Sequence, residues 1–383
     1  MLFYGVSMSV EGKKPKFMSS PDFEKNQDKF FEKHQATPRI PADYYLGWKM
    51  AQLQLSLGRK KLIYLDTNHW VNLRHVEMGY RLQKPAYQTM LQLLTRLHQT
   101  GRICCPISFL LFLELMKQSD VNTRMKTANL MDQFSGGLCF QFPLEMTESE
   151  LRHFIIRRIP SVEQGPKAWV FTKAGFIGGH LLPTVELFDK ETNNLIQKVW
   201  IDNMWDVGLS DLIEDLDAFG FTDNYWKRYA AQANQEAGIY RTESHSYEDA
   251  LMLQKAIFVR IMIDEDLERV SRDIFEKYPE CADPKNLRPV GETEYSPHHF
   301  PSLQILAGIH AANLLSTMKF EANDMLDFRH ASMAIPYCDA ICCDNPMATR
   351  LRDKPCEFGN IYGAKIFGKA EEINDYLEKL EKL

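Results

Sequence analysis

A chain of 383 residues can bury one large core or two smaller ones, and 45% hydrophobic with 25% charged residues excludes a protein dominated by disorder. Its 45 Lys and Arg against 51 Asp and Glu leave a formal charge of −6. That balance excludes coating of nucleic acid by bulk electrostatics, which needs a strongly basic face, and leaves room only for a local basic groove.

The opening "MLFYGVSMSVEGKKPKF" has no basic segment followed by a long apolar run and does not read as a signal peptide. Residues 1 to about 40 show little periodicity and predict a mobile or docked arm, and Tyr45, Trp48, Met50 and Leu53 predict a short helix near 43–58. An α/β pattern then begins. "LIYL" (62–65) is an apolar run without alternation, as expected of a strand covered on both faces; Trp70, Leu73 and Val76 recur at helical spacing after it. A helix over about 87–99 carries Met90, Leu91, Leu94 and Leu97 on one face and stops at Gly101. "RICCPIS" predicts another strand, Ser108 an N-cap for the helix "FLLFLELMKQ", and "LCFQF" (138–142) a third strand.

Residues 145–300 differ. Thr147 and Glu150 form a capping-box pattern, a long helix spans roughly 246–278, and strand runs become scarce, so this region reads as a mainly helical insertion. From 301 the α/β pattern returns: a helix after Pro301, a second after Asn323-Asp324 ("MLDFRHASMAIPY"), the strand "DAICCDN", a final strand in "NIYGAKIFG" and a closing amphipathic helix. The division is an arm and short helix (1–57), an α/β part (58–144), the insertion (145–300) and a second α/β part (301–383). Eight cysteines (Cys104, Cys105, Cys139, Cys281, Cys338, Cys342, Cys343, Cys356) form no CxxC pair and predict buried reduced thiols. The most apolar stretch, "FLLFLELM", is too short to span a bilayer, so a soluble cytoplasmic protein without a membrane segment is expected.

Two predicted strands, "LIYLD" and "AICCD", deliver a carboxylate at their C-terminal end, where open parallel sheets place their ligands. Asp66 and Asp344 can therefore meet in space. Glu114 is the isolated acid of an apolar helix, and Asp327 shares a helical face with the small residues Ala331 and Ala334. Four clustered acids repel one another unless hard divalent cations neutralise them. Two such ions about 3.5–4 Å apart would suit in-line phosphodiester hydrolysis.

The ordered set "LDTN" at Asp66, "PISFLLFLEL" at Glu114, "DFRHASMA" at Asp327 and "CDAICCDN" at Asp344 resembles the acidic motifs of PIN-domain nucleases. The resemblance covers about 60–142 and 301–370. It implies a three-layer α/β/α domain around a central parallel sheet, Mg²⁺ or Mn²⁺ as cofactor, and cleavage of single-stranded RNA, in a setting such as a toxin-like or defence effector. It also implies that Asp66, Glu114, Asp327 and Asp344 are the metal-binding catalytic acids, with Thr67 or Asn68 supporting the first. Two departures stand out: Cys342 occupies a position where the family often has Thr or Ser, and the interval from Glu114 to Asp327 is far longer than in a minimal domain of this type. Substrate selection, oligomerisation or control by a protein partner would account for the insertion.

Arg329, Arg350 and Arg352 flank the last two acids and are the expected phosphate contacts, with His330 placed to touch substrate or a nearby water. A packed histidine is the commoner alternative for His330. Arg157-Arg158 and Lys227-Arg228 would extend a groove, with Trp169 and Trp226 as stacking residues if they are not core. Asp324 reads as a cap and Asp339 as a loop acid. His298-His299 reads as loop, since adjacent residues of an extended chain point opposite ways. Two other functions compete: a catalytically silent PIN-like binding or scaffold protein, and a haloacid-dehalogenase-type phosphatase. The second is disfavoured because Asn68 stands where that chemistry places a second Asp.

Overall fold

The computed structural model describes residues 21–80, 85–140, 143–156, 170–172, 182–216, 224–241, 245–277, 279, 297–316 and 319–382. Two helices come first, α1 (Pro21–Gln35) and α2 (Ala42–Leu57). They are followed by β1 (Lys61–Leu65), α3 (Thr67–Glu77), α4 (Ala86–Gln99), β2 (Ile103–Cys104), α5 (Phe109–Met116), α6 (Val121–Ser135) and β3 (Leu138–Phe140). The middle of the chain supplies α7 (Pro143–Ile156), β4 (Val170–Thr172), α8 (Lys190–Asp206), α9 (Leu209–Leu216), α10 (Asn224–Tyr240) and α11 (Tyr247–Lys277). The last part comprises α12 (Pro301–Leu315), α13 (Ala322–Ala334), β5 (Ala340–Cys342), α14 (Asn345–Arg352), α15 (Phe358–Tyr362), β6 (Lys365–Phe367) and α16 (Ala370–Lys382).

Most of the described chain is helical, around a small parallel sheet in the order β2-β1-β5-β6. β1 is central, and its Ile63, Tyr64 and Leu65 are fully buried. Alternation along the strand explains why a run without polar breaks is needed: Tyr64 points towards α13, where its hydroxyl meets His330, so Ile63 and Leu65 face the other side of the sheet. Leu65 pairs with Cys342, and Cys342 with Phe367, so β1, β5 and β6 end side by side. A parallel bridge between Ile107 and Cys139 brings β3 to the β2 edge, and β3 pairs antiparallel with β4.

The helix α4 packs on β2 and against α16, burying Met90, Leu93, Leu94 and Leu97. Each such side chain contributes roughly 1.5–3 kcal/mol. Gly101, at φ 70°, ends that helix by taking the left-handed backbone that a side chain disfavours.

Four expectations change. The arm includes a helix, α1, docked on α8; its apolar residues are sparse because it is held by polar contacts to Asp202 as much as by Phe30. α6 was not anticipated, since buried Arg124 and Thr127 interrupt the apolar face formed by Ala128, Met131 and Phe134. Thr147 and Glu150 lie inside α7 rather than forming its cap. Glu150 instead accepts hydrogen bonds from Ser302 N (3.1 Å), Ser302 Oγ (2.8 Å) and the Tyr337 hydroxyl, closing the N-terminus of α12 from another helix. The expected strand over 360–368 splits at Gly363 (φ 76°) into α15 and β6.

The region 145–300 is mainly helical among the described residues, with β4 as its strand. It is continuous with the α/β part: α11 packs against α12 and α7, α10 packs against α13, and Ala233 and Phe258 share one core with Ile305 and Phe328. The seven cysteines among the described residues are all buried thiols outside any disulfide; Cys281 lies outside the described residues. No described helix is long and apolar enough to cross a membrane.

Candidate metal centre

Asp66 leaves β1 with extended backbone and caps α3, its Oδ1 accepting from Thr67 N at 2.6 Å. Its own N–H donates to Cys342 O at 2.9 Å, which ties the exits of β1 and β5 together. Asp344 repeats the arrangement after β5: it caps α14, and its Oδ1 accepts from Met347 N at 2.8 Å. Both strand-exit acids therefore do the ordinary work of an N-cap, in which one carboxylate oxygen accepts a backbone hydrogen bond. The positive ends of α3 and α14 also favour their negative charge.

Glu114 arrives on α5, a helix started by Ser108, whose Oγ accepts from Leu111 N at 3.2 Å. The rest of α5 is buried in the core, and Glu114 is its one half-buried residue. Its Oε2 accepts from the Thr67 hydroxyl and lies 3.3 Å from His330 Nε2. His330, only 3% exposed on α13, has Nδ1 2.5 Å from Tyr64 Oη, which in turn lies 2.7 Å from Ser108 Oγ. At that distance Nε2 and Glu114 form an ion-pair contact, and Nε2 makes no hydrogen bond of good geometry. Asp66, Glu114 and His330 each present a donor atom within 4.8 Å of the others. Asp327, one turn before His330, joins Asp66, Asp344, His330, Tyr64 and Cys343 around a cavity of about 10 Å³, close to the room that one water or ion needs.

The electrostatics follow from this crowding. Burial first, then the charges of Asp66, Glu114 and Asp344, push Asp327 up to about 8 against the pull of His330. Burial, with Glu114 and Asp344 adding to it, carries Asp66 to about 6. Burial raises Glu114 too, but His330 and the Thr67 hydroxyl outweigh it and hold this carboxyl below its ordinary value. His330 moves the other way: burial favours the neutral ring, yet Glu114, Asp66 and Asp327 raise it above the usual imidazole value. The donor chemistry fits a divalent cation, because oxygen ligands dominate and the charge excess is negative.

The structure thus brings together Asp66, Glu114, Asp327, Asp344, Thr67 and His330. Asn68 stays outside, exposed on α3, where Asn72 Nδ2 donates to its carbonyl at 2.7 Å. The expected phosphate contacts also turn elsewhere. Arg329 lines a separate small pocket with Met146, Thr147 and Ser302; Arg350 lies over the Phe328 ring at 5.5 Å; Arg352 is 3.4 Å from Glu372. His330 is packed against Tyr64 rather than open to a substrate. Asp324 acts in a capping box with Glu321, and Asp339 accepts from Leu62 N and Lys61 Nζ, both structural roles. His298 and His299 pack in a turn against Tyr362 and Phe154. Trp226 is partly buried against the core; Trp169, Arg157 and Arg158 lie outside the described residues. Tyr64 is the functional neighbour that sequence reasoning missed, although its hydroxyl, alone in an apolar strand, was the available signal.

No protein-family model matches the chain, and no curated protein or solved structure matches it.

Proposed function

We propose that this chain is a metal-dependent endoribonuclease of PIN-like, three-layer α/β/α architecture that hydrolyses phosphodiester bonds in single-stranded RNA in the cytoplasm. The reading is carried by one observation: Asp66, Asp327 and Asp344, from separate parts of the chain, line an ion-sized cavity beyond the C-terminal ends of parallel strands, and Glu114 presents a donor atom within 4.8 Å of those of Asp66 and His330. Asp66 and Glu114 would hold Mg²⁺ or Mn²⁺, with Asp327 and Asp344 on the neighbouring wall. Such a cation would supply Lewis acidity at the phosphate and lower the pKa of an attacking water.

The remaining work belongs to the chain itself. Thr67 fixes the Glu114 carboxylate, and Tyr64 fixes the His330 ring. Asp344 is the exposed member of the set and, beside the exposed Asn345 and Pro346, marks the side from which a strand enters. A silent PIN-like binding or scaffold protein is the reading that remains if chemistry fails. The test is cleavage of labelled single-stranded RNA and DNA with Mg²⁺ or Mn²⁺, with a chelator arm and the Asp66→Asn and Asp344→Asn variants. RNA fragments that vanish with chelator and in both variants are expected. Fragments persisting in both variants would remove the site from these residues, whereas metal binding without scission of any strand would favour the scaffold.

A further inference from the structure

We infer that His330 is itself a metal ligand, and that the resulting nitrogen-and-oxygen donor set selects a first-row transition ion over Mg²⁺. The inference rests on the metal-centre reading above and concerns which ion that centre takes. Three observations carry it.

First, His330 Nε2 is buried, makes no hydrogen bond of good geometry although Glu114 Oε2 lies 3.3 Å away, and belongs to the group of three donor atoms that lie within 4.8 Å of one another. A buried polar atom left with a poorly made hydrogen bond is costly, and such atoms are rare in folded proteins. A ligand bond would satisfy it. Second, the other ring nitrogen is already engaged: Nδ1 lies 2.5 Å from Tyr64 Oη, and Tyr64 Oη lies 2.7 Å from Ser108 Oγ. One polarity of this relay has Nδ1–H donating to Tyr64 and the tyrosine O–H donating to Ser108, which leaves the Nε2 lone pair facing Asp66 and Glu114. A hydrogen-bonded partner on the far nitrogen is the usual device that fixes the tautomer and direction of a metal-binding histidine. Third, Asp327 and His330 lie three residues apart on α13, so one helical turn delivers both to the same cavity.

The consequence is selectivity. Carboxylate and water suit Mg²⁺ as well as Mn²⁺, but an imidazole nitrogen adds affinity for the later first-row ions and little for Mg²⁺. Among the described residues no cysteine contributes to the group of three, so the site is borderline rather than soft.

Calorimetry with Co²⁺ and with Mg²⁺ tests this on the full chain, alongside the visible absorption of bound Co²⁺, in wild type, His330→Ala, His330→Gln, Tyr64→Phe and Asp66→Asn. Circular dichroism and the urea midpoint identify any variant that fails to fold. Wild type is expected to bind Co²⁺ about 100-fold or more tightly than Mg²⁺, and both His330 variants to lose about 10–100-fold in Co²⁺ affinity with an altered Co²⁺ spectrum. Their Mg²⁺ affinity should change less than about threefold, and Tyr64→Phe should fall between. Equal affinity of wild type for the two ions, or an unchanged Co²⁺ spectrum in both His330 variants, overturns the assignment. So does tighter binding of both ions by those variants, which would make His330 only a counter-charge for Glu114. Failure of wild type to bind either ion, or binding indifferent to Asp66→Asn, overturns the metal centre itself and the ligand assignment with it.

Discussion

Asp202 on α8 and Asp327 on α13 are both carboxylates withdrawn from water, yet the first is held down to about 2 and the second is pushed up to about 8. Around Asp202, which is 1% exposed, the chain supplies its own cations and donors: Lys33 at 2.7 Å, Lys49 at 2.5 Å, His34 at 2.9 Å and the Tyr45 hydroxyl at 2.8 Å. Burial opposes the charge there, and the hydrogen bonds to Lys33, Lys49 and Tyr45 overcome it. Around Asp327 the principal neighbours are three further carboxylates and one histidine. One cluster is complete when the chain has folded and clamps α1 and α2 onto α8. The other is left with an excess of negative charge, the condition that a bound divalent cation relieves.

Four experiments break or sharpen that contrast. The largest effect is expected from Asp202→Ala, which strands Lys49, Lys33 and His34 without their carboxylate. Removing one partner of a buried ion pair costs about 3–5 kcal/mol. A urea titration should show that loss, and an unchanged midpoint would mean that the clamp is ornamental.

Next comes Asp66→Asn. It should reduce metal-dependent cleavage by about 100-fold or more, while leaving metal-free stability the same or higher by about 1 kcal/mol, because a repelling charge is gone. A marked loss of metal-free stability would show that Asp66 is chiefly a helix cap.

The pH dependence separates the clusters by sign. Asp327 has its folded-state value raised, so the native state binds more protons than the unfolded chain between 3.8 and about 8, and metal-free stability falls as pH rises through that window. Asp66 adds to the fall up to about 6. Melting of chelated protein should report a steady decline across that window, shallower in Asp327→Asn and suppressed by saturating metal. Asp202 has the opposite sign: its contribution is present above 3.8 and is lost as pH falls towards about 2. A metal-free melting curve flat from weakly acidic to weakly basic pH would contradict the crowding at Asp327.

The smallest effects distinguish two adjacent residues. Thr67→Val removes the hydroxyl that fixes Glu114 and should weaken metal binding about tenfold, whereas Asn68→Ala should change it by less than about twofold. Titration calorimetry on both variants checks the pair, and equal losses would show that the placement of α3 matters more than the Thr67 hydroxyl.

Local physics made much of the frame legible. "LIYL" and "AIC" are short apolar runs because strands covered on both faces tolerate little else, and Ser108 announces α5 because its hydroxyl can accept a free helix-terminal N–H. α6 escaped because its buried face includes polar residues such as Thr127, which accepts from Arg74 Nη1 at 3.2 Å, a contact that periodicity does not record. The capping-box pattern at Thr147 and Glu150 misled for a related reason: Glu150 caps a helix about 150 residues away in the chain, and spacing within one segment carries no sign of it.

By itself the sequence determined that carboxylates would stand at the exits of two short strands, since an apolar run that ends in Asp must give that charge water, a cap or a cation. Only the tertiary structure decided what surrounds each of them. Parallel pairing of β1 with β5 sets Asp66 beside Asp344, the packing of α5 and α13 brings Glu114 and His330 to the same place, and the three arginines turn to Phe328, Glu372 and a separate pocket. Side-chain type is a local property, but the sign and number of charges around a carboxylate depend on segments distant in sequence, which become neighbours only when the sheet closes and the helices pack.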